Sequence, residues 1–263
     1  MFYFVTNDDT KIYYTEQGSG KNLLMVHGYG CSGKYFKNNV PELSKHFHVV
    51  TIDLRGHGNS NEAVSGKRIS RLATDVHELI KHLDLNDVTY LGWSMGCSVG
   101  WSYWDLFRAD RLKKFIFVDE PALGLDTKDN PSGLLNYQQT LDFCSSLYTD
   151  KEGALNGFIK NIVIDKSLNL NDLIEDTDKA NADFVSPLFY NHMANDWSDI
   201  IKTIDIPSLV FSGKKSFFNW KLVKKVSEEL QNSEFELFEN VGHMLFFEEA
   251  DHFNKSVTEF IEK

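Results

Sequence analysis

A serine set in Gly92-Trp93-Ser94-Met95-Gly96 is the residue of this 263-residue chain best placed to do chemistry. Before it, Asp87-Val88-Thr89-Tyr90-Leu91 reads as a buried strand; after it, Cys97 to Phe107 is long enough for a helix. Small residues at 92 and 96 let the backbone turn sharply between the two. Such a turn holds the central hydroxyl at its tip and aims the next backbone N–H at a reacting carbonyl. Ser94 is therefore the candidate nucleophile. A serine hydroxyl attacks poorly until a base takes its proton. Of nine histidines, His243 is the best candidate base, because Val241-Gly242-His243 follows the last apolar strand and would return over the strand ends. His46, His48, His77, His82 and His252 fall on expected helix or strand surfaces, where a solvated or packed histidine is the default. His192 lies in a long helical stretch and is a candidate substrate contact.

The elements that must hold these groups follow from hydrophobic patterning. Phe2–Val5 and Ile12–Thr15 read as two antiparallel strands about an Asn7-Asp8-Asp9-Thr10 turn. Leu23–Val26 and His48–Ile52 are continuous apolar runs, as expected of strands covered on both faces. A helix is expected from Arg68 to Leu83, with Ile69, Leu72, Val76, Leu79, Ile80 and Leu83 on one stripe. Lys114–Val118 is the next strand. The alternation then breaks after Glu120-Pro121, and Ala122 to Thr203 shows helical patches rich in large apolar groups without a buried strand. It resumes with a strand at Ser208–Gly213, a helix near Trp220–Leu230, a strand at Glu234–Phe238 and a terminal helix from about Glu249 to Glu262. The expected fold class is α/β, a mostly parallel eight-stranded sheet flanked by helices. Residues 1–121 and 204–263 form its core, and 122–203 form an inserted helical cap.

His27-Gly28-Tyr29-Gly30, Asp53-Leu54-Arg55-Gly56-His57-Gly58-Asn59-Ser60, Gly92-Trp93-Ser94-Met95-Gly96 and Gly242-His243 recur here in an order and spacing that resembles the α/β-hydrolase fold superfamily. The resemblance runs over nearly the full length outside the cap. It implies that His243 is the catalytic base, that His57 belongs to a structural turn and that His27 shapes the oxyanion loop. The commonest family pattern puts the triad acid in the turn after the penultimate strand. Here that turn, Ser212-Gly213-Lys214-Lys215-Ser216-Phe217-Phe218-Asn219, has no carboxylate. A triad still needs an anion to fix the imidazole tautomer and stabilise the imidazolium. Some members carry it one strand earlier, and the carboxylates at that place are Asp119, which directly ends the apolar run, and Glu120 as the alternative. If both merely pair with cap residues, Ser216 fills the usual slot and the site is a dyad or inactive. A tetrahedral intermediate needs two preorganised donors; by position these are the backbone N–H groups of Met95 and Tyr29. Gly28 lets the loop approach the substrate oxygen, Trp93 and Tyr29 put aromatic surface beside it, and cap residues make the pocket apolar.

Composition narrows the partners. The formal net charge of −11 disfavours nucleic acid and anionic membrane surfaces. No basic-then-apolar leader opens the chain, and no segment nears the roughly 18 apolar residues of a membrane span. Cys31, Cys97 and Cys144 are scattered without metal-ligand spacing and read as reduced thiols of a cytoplasmic protein. No phosphate-binding glycine fingerprint or histidine–carboxylate cluster calls for a cofactor or metal. The reaction expected is hydrolysis of an ester or thioester of a small to medium apolar acyl group through an acyl-enzyme. Carbon–carbon bond hydrolysis, cofactor-free perhydrolysis and a non-catalytic ligand-binding role on the same fold are the alternatives. A small-molecule substrate is the expected partner; oligomeric state is not readable from sequence.

Overall fold

Apolar runs such as Asn22-Leu23-Leu24-Met25-Val26 have no polar face, so they are stable only where both sides of a sheet are covered. In the computed structural model, which describes residues 2–263, that is where they lie. Eight strands form one sheet: β1 (Phe2–Val5), β2 (Lys11–Gln17), β3 (Lys21–Val26), β4 (Phe47–Ile52), β5 (Val88–Trp93), β6 (Leu112–Val118), β7 (Ser208–Gly213) and β8 (Ser233–Phe238). Their spatial order is β1-β2-β4-β3-β5-β6-β7-β8. β1 pairs antiparallel with β2, and β2 with β4; from β4 to β8 every pairing is parallel.

The helices are α1 (Val40–Leu43), α2 (Ile69–His82), α3 (Met95–Phe107), α4 (Tyr137–Thr149), α5 (Lys151–Asn161), α6 (Asn171–Thr177), α7 (Ala182–Ala194), α8 (Ser198–Ile201), α9 (Trp220–Glu229), α10 (Leu245–Glu248) and α11 (Ala250–Glu262). Alternate side chains of each central strand feed opposite clusters. Leu24, Val26, Tyr90, Phe115 and Phe117 pack toward α2 and α3, whereas Leu23, Met25, Leu91, Ile116 and Val118 pack toward α11. Five helices, α4 to α8, fall between β6 and β7. No helix among the described residues is long and apolar enough to cross a membrane.

Strand order reverses between β3 and β5, since β3 is followed in space by β4 on one side and β5 on the other. In an open parallel sheet that switch leaves a crevice beyond the carboxyl ends of the two strands. His27–Gly30 leaves β3 there, and Ser94 leaves β5 beside it.

Candidate active site

Ser94 sits at the tip of a turn that only small neighbours allow. A Cβ on Gly92 would lie 2.4 Å from the Gly96 carbonyl oxygen, and one on Gly96 would lie 2.3 Å from that of Val26. The strand end and the helix start are therefore in backbone contact. Ser94 pays with φ 53° and ψ −127°, a conformation that L side chains rarely adopt. Its N–H donates to Val118 O at 2.9 Å, which locks the turn to the end of β6. Met95 opens α3, so its N–H has no carbonyl one turn back to bond. The loop after β3 closes against the same point: a Cβ on Gly28 would be 3.0 Å from Ser94 Cβ and 3.4 Å from its Oγ. Tyr29 follows directly.

His27 shapes that loop from within. Its Nε2 accepts the Leu54 N–H at 2.9 Å, so its proton is on Nδ1, which donates to Gly28 O at 2.8 Å. The Tyr29 hydroxyl donates to Val185 O in α7 at 2.9 Å, and its ring packs 4.9 Å from Phe189. The Tyr29 side chain thus ties the loop to the helical segment, while its backbone stays at the crevice. His57 donates from Nδ1 to Arg55 O at 2.9 Å, and its ring packs 5.3 Å from that of His27.

His243 and Asp119 meet across the strand ends. His243 Nδ1 donates to Asp119 Oδ2 at 2.7 Å, with both side chains almost wholly buried. Asp119 Oδ1 accepts from the Ser212 hydroxyl at 2.6 Å and from the Gly213 N–H at 3.2 Å. The turn that lacks a carboxylate therefore supplies the donors that hold one. Ser216, in that same turn, accepts the Phe218 N–H at 3.2 Å, a local contact within the turn. His243 is fixed from beneath by Trp93, whose indole N–H donates to His243 O at 3.1 Å, and from the flank by Phe217, 4.4 Å between ring centres. Trp93 packs against Tyr35 and Phe246 as well, and a Cβ on Gly28 would lie 3.4 Å from its ring. His243 Nε2 is buried and has no hydrogen-bond partner among the described residues.

Glu120 diverges from its neighbour. Its Oε1 lies 3.5 Å from His192 Nε2, and the Ser94 hydroxyl stands beside its carboxyl. Burial first, and the negative charge of Asp119 second, raise its pKa well above the usual carboxylate range; the Ser94 hydroxyl works in the opposite direction. Burial, with the nearby His243 second, lowers His192 to about 4, so it is neutral at pH 7. Ser94, His243, Asp119, Glu120 and His192 are thus one cluster. Three contributors were invisible in sequence: the Ser212–Gly213 clasp, the Phe217 flank and the Glu120–His192 pair. The only signal for the first was that a serine and a glycine end a strand adjacent to the one that carries Asp119.

Comparison with known proteins places the fold. The family described as the alpha/beta hydrolase fold matches residues 21–250. The AB hydrolase superfamily protein YisY of Bacillus subtilis is 23% identical over 270 residues, covering 98% of each chain. The solved bromoperoxidase of Bacillus anthracis superposes with a TM-score of 0.91 at 25% identity over 96% of each chain. An esterase from Exiguobacterium antarcticum superposes with a TM-score of 0.92 at 22% identity over 99% of each chain.

Proposed function

The chain belongs to the alpha/beta hydrolase fold family, and on that premise we propose that it is a serine hydrolase that cleaves esters or thioesters of small to medium apolar acyl groups. The observation that carries this reading is the 2.7 Å bond from His243 Nδ1 to Asp119, with Ser94 raised on its turn beside them. A bond at Nδ1 leaves Nε2 unprotonated, and that is the nitrogen a general base must present.

In this mechanism His243 Nε2 takes the Ser94 proton as Oγ attacks the carbonyl carbon. The oxyanion that forms accepts the N–H groups of Met95 and Tyr29. The carbonyl re-forms, the bond to the leaving oxygen or sulfur breaks, and His243 returns the proton to it. Water then attacks the acyl-serine by the same steps in reverse order, releasing the acid and free Ser94. Asp119 stays ionised throughout and stabilises the imidazolium. Gly28 keeps the oxyanion loop close, and Trp93 holds His243 in place. The segment 122–203 acts as a cap: with Ser94 only 5% exposed, substrate reaches it when α4 to α7 part from the crevice. Three free, buried cysteines fit a reducing compartment such as the cytoplasm.

Likeness to the bromoperoxidase favours one second reading. Hydrogen peroxide in place of water would attack the acyl-serine and release a peracid, with no cofactor. Nitrophenyl esters from acetyl to dodecanoyl, with Ser94→Ala as the blank, test the primary reading. Turnover that disappears in the blank supports it. Ser94-dependent turnover that yields peracid when peroxide is added supports the second as well. Equal rates in wild type and blank across the series would leave a binding protein as the better reading.

A further inference from the structure

His243 is anchored through its ring, its carbonyl and its backbone N–H, and the last of these anchors comes from outside the sheet and its helices. Asp119 holds the imidazole, and the Trp93 indole N–H holds the carbonyl. The His243 N–H donates to Ile162 O at 3.0 Å, and the Met244 N–H donates to the same oxygen at 3.2 Å. Ile162 lies just past α5, in the linker that leads to α6. The segment inserted between β6 and β7 therefore touches the backbone of the base.

Glu248, the last residue of α10, closes the same junction with its side chain. Its Oε2 accepts the Gly242 N–H at 2.9 Å, and its Oε1 accepts the N–H groups of Ile164 at 2.7 Å and Asp165 at 3.0 Å. One carboxylate thus bridges the residue before the histidine and two residues of the linker. N–H donors on both oxygens call for a group that only accepts; an amide would turn its NH2 against Gly242 or against the linker. Hydrogen bonds to a carboxylate are about twice as strong as neutral ones, so the Glu248 clasp contributes more than the two bonds at Ile162 O. The junction is also tight. A Cβ on Gly242 would lie 3.0 Å from Ile162 O, 3.1 Å from Ile164 Cγ1 and 3.3 Å from Glu248 Oε2.

We propose that Glu248 is a positioning residue for the catalytic base: it fixes the Gly242-His243-Met244 backbone to the 162–165 linker, so that His243 Nε2 is aligned with Ser94 only while that linker is seated. This rests on the serine-hydrolase reading above. A linker that only shaped the acyl pocket would act on KM, and most on long acyl chains. One that sets the base acts on kcat at every acyl length, because the same nitrogen takes the Ser94 proton each time.

Glu248→Gln keeps the size of the side chain and removes one of its two acceptors. On nitrophenyl acetate and nitrophenyl octanoate alike, kcat should fall about 10- to 100-fold, the effect of misplacing a catalytic group by up to about 1 Å. KM should stay within about threefold of wild type, since His243 serves acylation and deacylation equally. The proton on His243 Nδ1, a downfield magnetic-resonance signal that His243→Ala lacks, should shift or broaden as the imidazole turns from Asp119. A purely structural role for Glu248 would leave that signal in place. Gly242→Ala wedges a methyl group between loop and linker while leaving Glu248 itself unaltered. It should reproduce both changes, and it carries the test if Glu248→Gln does not fold. Unchanged kcat and an unchanged Nδ1 signal in a folded variant, or a rise in KM confined to the octanoate, would overturn the positioning role and leave the serine hydrolase standing. Absence of Ser94-dependent turnover in the wild type, with Ser94→Ala as the blank, would overturn both.

Discussion

At the scale of the residue, the choice between Asp119 and Glu120 shows where sequence reasoning stops. Both carboxylates follow one apolar strand, and both can reach a crevice. What separates them is a pair of donors from another strand: the Ser212 hydroxyl and the Gly213 N–H hold Asp119 Oδ1, whereas Glu120 turns toward Ser94 and His192. Those donors arrive through the parallel pairing of β6 with β7, about 90 residues apart in sequence, so local pattern could not reveal them. Ser94 was legible because the turn that carries it has its own glycine signature. His243 was legible because a Gly-His step closes the last strand. Ser212→Ala should lower kcat on nitrophenyl butanoate about tenfold, since a hydrogen bond to a charged group is worth about 1.5–3 kcal/mol and the Gly213 N–H remains. Circular dichroism should be unchanged. A rate equal to wild type would mean that Ser212 does not orient the Asp119–His243 pair.

At the scale of the element, the sheet was readable and the short helices were not. Ser208–Gly213 is a strand as expected, and β5 runs to Trp93, two residues past the expected end, which carries the strand directly into the serine turn. α1 and α10 have four residues each, too few for a 3.6-residue period to register. The 137–201 helices were legible only as an apolar, strand-free region, because helix packing there depends on contacts among helices far apart in sequence. One junction of elements governs the site. Gly213 ends β7 against the loop that carries His243, and a Cβ on it would lie 2.1 Å from the Gly242 carbonyl oxygen and 2.9 Å from that of Val241. Both obstacles are backbone and cannot rotate aside. Gly213→Ala should therefore displace the His243 loop, lowering kcat/KM at least about tenfold, as sub-ångström misplacement of a catalytic group does. Urea unfolding should report lower stability as well. A variant with wild-type kinetics would show that the loop tolerates the shift.

At the scale of the whole molecule, buried titratable groups of opposite sign set the response to acid. Burial lowers His57 and His192 to about 4. Between about pH 6.5 and 4 the unfolded chain binds protons that the folded chain refuses, so each histidine costs about 1.4 kcal/mol of stability per pH unit of acidification. Asp53 has the opposite sign: burial raises it to about 6. Between about pH 4 and 6 the folded chain keeps a proton that the unfolded chain has lost, so acidification through that window adds stability. Glu120, raised by burial, acts in the same direction from about pH 4.5 upward. His27, lowered by burial, adds to the losses, and Asp75, raised by burial, adds to the gains. His57→Gln removes one loss, so its stability relative to wild type should rise by about 1.4 kcal/mol for each pH unit from 6.5 down toward 4.5. Parallel urea-unfolding curves for the two proteins would contradict that balance. The central claim, a serine nucleophile served by a histidine that Asp119 holds, is tested most directly by kcat for nitrophenyl butanoate in Asp119→Asn. With the fold intact by circular dichroism, the account predicts a fall on the order of 10³–10⁴, the effect of presenting the wrong imidazole tautomer. A folded Asp119→Asn protein that keeps kcat within about tenfold of wild type would contradict it.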